Sequence, residues 1–126
     1  MSPTTNPVPI KIPNGKTCFW SMITQAAYVQ TLIIKDSAGN PVVNQSGQSV
    51  HPTLANHGSF VANTGDGHYT VEIQANGVNE RVIYAENSNV FQGTICQQTW
   101  TFVSEDSTDN DFNDCFVILT WFNKTN

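Results

Sequence analysis

No stretch of this 126-residue chain sustains apolar residues at helical spacing beyond a turn or two, whereas short apolar, β-branched or aromatic runs keep returning. They read "VPIKI" (8–12), "CFWSMIT" (18–24), "VQTLIIKD" (29–36), "HYTVEIQA" (68–75), "ERVIYA" (80–85), "TWTFVS" (99–104) and "CFVILTWF" (115–122). Between them lie "PNGK", "DSAGNP", "NQSGQS", "NTGDGH" and "ANGVNE", clusters of the residues that supply turns. Asn76-Gly77 follows an alternating run and marks a hairpin. Many short strands separated by turns predict an all-β fold, an antiparallel β-sandwich. The length suits one domain over residues 8–126, preceded by an extended or disordered tail over residues 1–7.

The final run differs from the others in being apolar on both faces. Cys115, Val117, Leu119 and Trp121 share one face, and Phe116, Ile118 and Phe122 the other. Such a strand is either buried between two sheets or exposes an interface to a second copy.

Charge is scarce, at 12% of residues, yet five of the ten acids fall within residues 105–114, "EDSTDNDFND", with no Lys or Arg among them. The other five are balanced by Lys11, Lys16, Lys35, Arg81 and Lys124, so the net charge of −5 belongs to that loop. No basic patch exists to meet phosphates, which excludes nucleic acid as the expected partner. A divalent cation is the natural counter-charge. The loop offers Glu105, Asp106, Asp109, Asp111, Asn113 and Asp114 as hard oxygen ligands without His or Cys. That donor set selects calcium, with magnesium second, over zinc, copper or iron.

Asp109, Asp111 and Asn113 alternate like the start of an EF-hand, but Asp114 stands where that loop needs Gly and Thr120 where it needs Glu. The flanking runs are strands as well, so an EF-hand is rejected. Five carboxylates are better neutralised by two calcium ions than by one, and bridging acids explain the adjacency of Asp111, Asn113 and Asp114. The alternative is a set of solvated surface acids.

The segment "SEDSTDNDFNDCFVILTW" closely resembles the C-terminal signature of the Pseudomonas-type fucose-binding lectin II (LecB) family of calcium-dependent bacterial lectins. The resemblance continues more weakly through "IPNGKTCFW", "SGQS" and the Asn76-Gly77 turn. It implies a Greek-key-like sandwich of about nine strands, a homo-oligomer (dimer or tetramer), and recognition of a monosaccharide such as mannose or fucose through two adjacent calcium ions. By position, it implies that Glu105, Asp109, Asp111 and Asp114 hold one ion, and that Asp111, Asn113, Asp114 and the backbone carbonyl of Gln25 hold the other. Asp106, with Asp109, Asn113 and Asp114, would accept hydrogen bonds from sugar hydroxyls, and Glu105 and Ala27 belong to the same sugar-binding set.

The family usually has Asn at the position of Gln25, a change that a backbone ligand tolerates. Its specificity loop falls on Ala26, Ala27 and Tyr28, where the alanines look like mannose-preferring members and Tyr28 replaces a usual Gly. Family members end in a Gly whose carboxylate reaches a neighbour's calcium site. Here "FNKTN" follows Trp121, placing Lys124 near that position and adding Thr125 and Asn126.

Cys18, Cys96 and Cys115 have no zinc-knuckle spacing and allow one disulfide plus a free thiol. His51, His57 and His68 read as solvated loop residues, and Trp20, Trp100 and Trp121 as core. The N-terminus looks like neither a signal peptide nor an anchor, so the expectation is a protein made in the cytoplasm, without membrane insertion, and released or placed at the cell surface by a non-classical route. No His, Lys or Ser stands as an obvious base or nucleophile by the acids, so no enzymatic activity is expected. The alternative to a lectin is a structural or self-assembling protein that has kept calcium and lost sugar binding.

Overall fold

The computed structural model describes residues 6–106 and 110–124. Eight strands account for nearly all of it: β1 (Val8–Lys11), β2 (Thr17–Asp36), β3 (Pro41–Val61), β4 (His68–Ala75), β5 (Val78–Asn79), β6 (Arg81–Phe91), β7 (Thr94–Glu105) and β8 (Cys115–Phe122). All pairings are antiparallel, in the order β1-β4-β2-β8-β7-β6, with β3 added to β2 and β5 to β4. The sheet curls on itself, and residues of β1 and β4 line a groove with Tyr84, Glu86 and Trp100 of β6 and β7. No helix among the described residues is long and apolar enough to cross a membrane.

The strict alternation of β4 and β8 puts one set of side chains inside. Val71, Ile73, Val117 and Leu119 are all but inaccessible, as are Leu32 and Ile34 from β2. Trp20, Trp100 and Trp121 are buried with them, and Tyr84 stacks on Phe102 at 5.7 Å. Truncating any of these large core side chains to Ala would cost about 2–5 kcal/mol.

Several expectations change. The runs at 18–24 and 29–36 are one strand, β2, which continues through a bend because its two halves serve different neighbours. "NQSGQS" is not a turn but lies within β3. Gly47 is needed there for close approach, since a Cβ would sit 2.4 Å from the Cβ of Ala55. β6 and β7 extend to a hairpin at Gln92-Gly93, with φ of 51° and 78°, that the sequence reading did not find. Asn76-Gly77, with φ of 49° and 82°, does turn β4 into a hairpin, but its partner is the two-residue β5.

Of the expected tail, Asn6 is buried, donates to the carbonyls of Ile73 and Glu80, and accepts from the Ile73 N–H. His51, His57 and His68 are exposed but lie on β3 and β4, not in loops. The three cysteines are free. Cys18 and Cys115 occupy opposite ends of the β2–β8 ladder, paired with Trp121 and Thr24, and cannot meet. Burial pushes the Cys18 thiol up to about 12 and raises that of Cys115 further.

Among the described residues, the outer face of β8 is only partly covered. Phe116 and Ile118 are half-buried, while Phe19 and Phe122 are 44% and 41% exposed and meet edge to face at 6.3 Å.

Candidate functional site

β2 pairs with β8 as far as Thr24 and with β4 from Gln30 onward, so it changes partner across residues 25–29. The β3 ladder breaks at the same place: Ala26 faces Ser49 and Gln30 faces Gly47, which leaves residues 27–29 opposite Gln48 alone. The extra residues bulge from the sheet. Gln48 Nε2 donates to the Ala27 carbonyl and holds the bulge in place.

The acidic loop leaves β7 at Glu105 and rejoins the sheet at Cys115, beside this bulge. Asp114 is tied on both sides, its N–H donating to the Ser104 carbonyl (3.1 Å) and its carbonyl accepting from Gln25 N–H (2.8 Å). Gln25 Nε2 donates to the Asn113 carbonyl at 3.0 Å. Asn110 and Phe112 adopt φ of 63° and 50° on either side of Asp111, a left-handed conformation that non-glycine residues rarely accept. That geometry is over-determined: Arg81 donates to Asn110 Oδ1 at 2.7 Å and lies over the Phe112 ring, whose backbone N–H donates to Glu105 Oε1 at 3.0 Å.

The result is an open cleft of about 480 Å³. Gln25, Ala26, Ala27 and Tyr28 form one wall with Val50, and Asp106, Asp111, Asn113 and Asp114 form the other. Thus six of the sequence-derived site residues share one cavity. Glu105, 2% exposed, does not line it but borders an adjacent pocket with Glu80, Arg81 and Asp106. Asp109 lies outside the described residues, as do Thr125 and Asn126. Lys124 is at the far end of β8, about 25 Å of strand from the chain's own cleft.

The acids of the cleft lie close enough to repel one another. Asp106 N–H donates to Asp114 Oδ2 at 2.7 Å. Even so, burial, followed by the side chain and charge of Asp106 and the charge of Glu105, pushes the Asp114 carboxyl up to about 7. Glu80, at the β5–β6 junction, was missed in the sequence because it sits in a turn cluster well before the acidic loop. Burial, then the charges of Asp106 and Asp114, push it up to about 8. Gln30 was missed too. It is wholly buried, and its Nε2 lies 3.4 Å from Asp106 Oδ2. Among the described residues, the cleft and the acids beside it offer carboxylate, amide and carbonyl oxygens and no His or Cys, a donor set that fits calcium.

Fold and cleft together define a small β-sandwich binding protein with an acidic pocket at a strand bend. The chain belongs to the fucose-binding lectin II (PA-IIL) family, whose model matches residues 10–123. It is therefore a carbohydrate-binding lectin, in a family of calcium-binding lectins rather than enzymes. It is 31% identical over 126 residues to thrombocorticin of Corticium sp., covering 93% of this chain and 94% of that protein.

Solved lectin structures share the fold. The C-terminal domain of the BC2L-C lectin from Burkholderia cenocepacia superposes with a TM-score of 0.76 at 23% identity, covering 94% of this chain and 97% of that one. The Ralstonia solanacearum high-affinity mannose-binding lectin gives 0.73 at 19%, with coverage of 94% and 97%. The Chromobacterium violaceum lectin CV2L, in complex with alpha-methyl-fucoside, gives 0.73 at 22%, with coverage of 93% and 97%.

Proposed function

We propose that this lectin binds a monosaccharide of the mannose or fucose type in a calcium-dependent manner, through two adjacent ions held in the cleft. The observation that carries the reading is the convergence of Asp106, Asp111, Asn113 and Asp114 on one cavity, opposite the bulge that bears Gln25 and Ala27. Glu105, Asp109, Asp111 and Asp114 are assigned to one ion, and Asp111, Asn113, Asp114 and the Gln25 carbonyl to the other. Calcium, when bound there, would supply positive charge that attracts the oxygens of vicinal sugar hydroxyls. The hydroxyl protons are then accepted by Asp106 and its neighbours in charge-assisted hydrogen bonds.

The protein pairs with a second copy through the outer face of β8, where Phe116, Ile118 and Phe122 offer apolar surface. Family membership favours sugar binding over a purely structural role. Isothermal titration with mannose and with fucose, in excess calcium and again with chelator, tests the reading. Heat in calcium that disappears with chelator is expected, and silence with both sugars in calcium would refute it.

A further inference from the structure

We infer that Glu80 is an additional cation ligand of this site, forming with Asp106 and Asp114 a position where the cleft meets the adjacent pocket. One carboxylate oxygen from each of the three lies within 4.8 Å of the others. Oxygens at that separation can share one calcium, whose ligand distances are about 2.3–2.6 Å.

Proximity of acids alone would not suffice, but the state of Glu80 is independent of it. The residue is 6% exposed, and neither carboxylate oxygen has a hydrogen-bond partner among the described residues. The nearby Ser104 hydroxyl, which donates to the Cys115 carbonyl at 3.4 Å, also favours the charged form of Glu80, but by less than burial and the neighbouring acids oppose it. A buried carboxylate is ordinarily hydrogen-bonded or paired. Here the groups it faces are Asp106 and Asp114, which are acids themselves. The Gln30 amide, which reaches Asp106 through Nε2, also has a buried oxygen, Oε1, with no partner. Unpaired oxygens and clustered carboxylates suit the same kind of partner, a hard cation.

Glu80 comes to this position from the junction of β5 and β6, remote in sequence from the acidic loop. Its backbone N–H donates to the Ile73 carbonyl at 3.0 Å, and Asn6 Nδ2 donates to its carbonyl at 3.3 Å. The main chain is therefore fixed while the side chain end is unpaired, as a preorganised ligand requires.

The inference rests on the calcium reading above and is tested separately from it. Calcium titration calorimetry on the full chain compares wild type with Glu80→Gln, which keeps the shape and removes the charge. At least tenfold weaker calcium affinity is expected in the variant. Unchanged affinity would overturn the inference, whereas a wild type that binds no calcium would overturn the calcium reading itself. A second measurement needs no variant: in ¹³C-glutamate-labelled wild type, the Glu80 carboxyl resonance should move on adding calcium. A resonance that stays in place while calcium binds would also overturn the inference.

Discussion

Arg81 holds its guanidinium 5.2 Å above the centre of the Phe112 ring, joining the start of β6 to the acidic loop. The same side chain donates to Asn110 Oδ1, so it grips both residues that flank Asp111 in left-handed conformation. Arg81→Ala should cost about 1 kcal/mol of stability. It should weaken calcium binding disproportionately, because Asp111 loses its fixed direction. Denaturant unfolding and calcium titration measured side by side check this, and an unaltered calcium affinity would contradict it.

Asp111→Asn and Asp114→Asn should each abolish sugar binding, since each removes charge assigned to both ions. Their effects without calcium should differ from their effects with it. In chelator, Asp114→Asn relieves repulsion with Asp106 and Glu105 and should melt no lower than wild type. In calcium it should lose the metal-induced rise in melting temperature. Thermal melts in both conditions, together with sugar titrations, decide the matter.

Stability without calcium should depend on pH in an unusual direction. Glu80 and Asp114 hold protons up to about pH 8 and 7 in the folded chain, against 4.5 and 3.8 as ordinary carboxyls. Over that window the folded state binds more protons than the unfolded one, so stability falls as pH rises. The slope is at most about 1.4 kcal/mol per pH unit for each group. Calcium, which requires deprotonated ligands, should flatten or reverse the trend. Melting curves at several values between pH 5 and 8, with chelator and with calcium, would show it. A rising melting temperature in chelator would count against it.

Phe122→Ser and Phe19→Ser remove the edge-to-face pair on the outer face of the sheet without touching the core. Both should shift the assembly toward monomer at low micromolar concentration while leaving the fold intact. Sedimentation velocity provides the measurement, and equal dimerisation of wild type and variants would rule out this face.

The strand content and the buried tryptophans were legible because alternation and apolar runs report directly on sheets. The acidic loop was legible because its charge is local in sequence. What escaped depends on contacts between distant segments. Gly47 looks like a turn residue until Ala55 is seen packed against it. Glu80 looks like part of a hairpin until β6 brings it beside Asp106 and Asp114. The outer strand segments, 86–91 and 94–96, are exposed on both faces, so their apolar residues follow no alternation between a buried and a solvent side.

The bend of β2 also separates two kinds of constraint. Residues 27–29 stand opposite a single β3 residue, and Tyr28 is 54% exposed, so the fold asks little of their identity. On the proposed reading, exchange at these positions should retune which sugar fits while the acidic wall opposite stays as it is. The arrangement works like a tool with a fixed jaw and a replaceable one, in which new specificity is reached without rebuilding the grip.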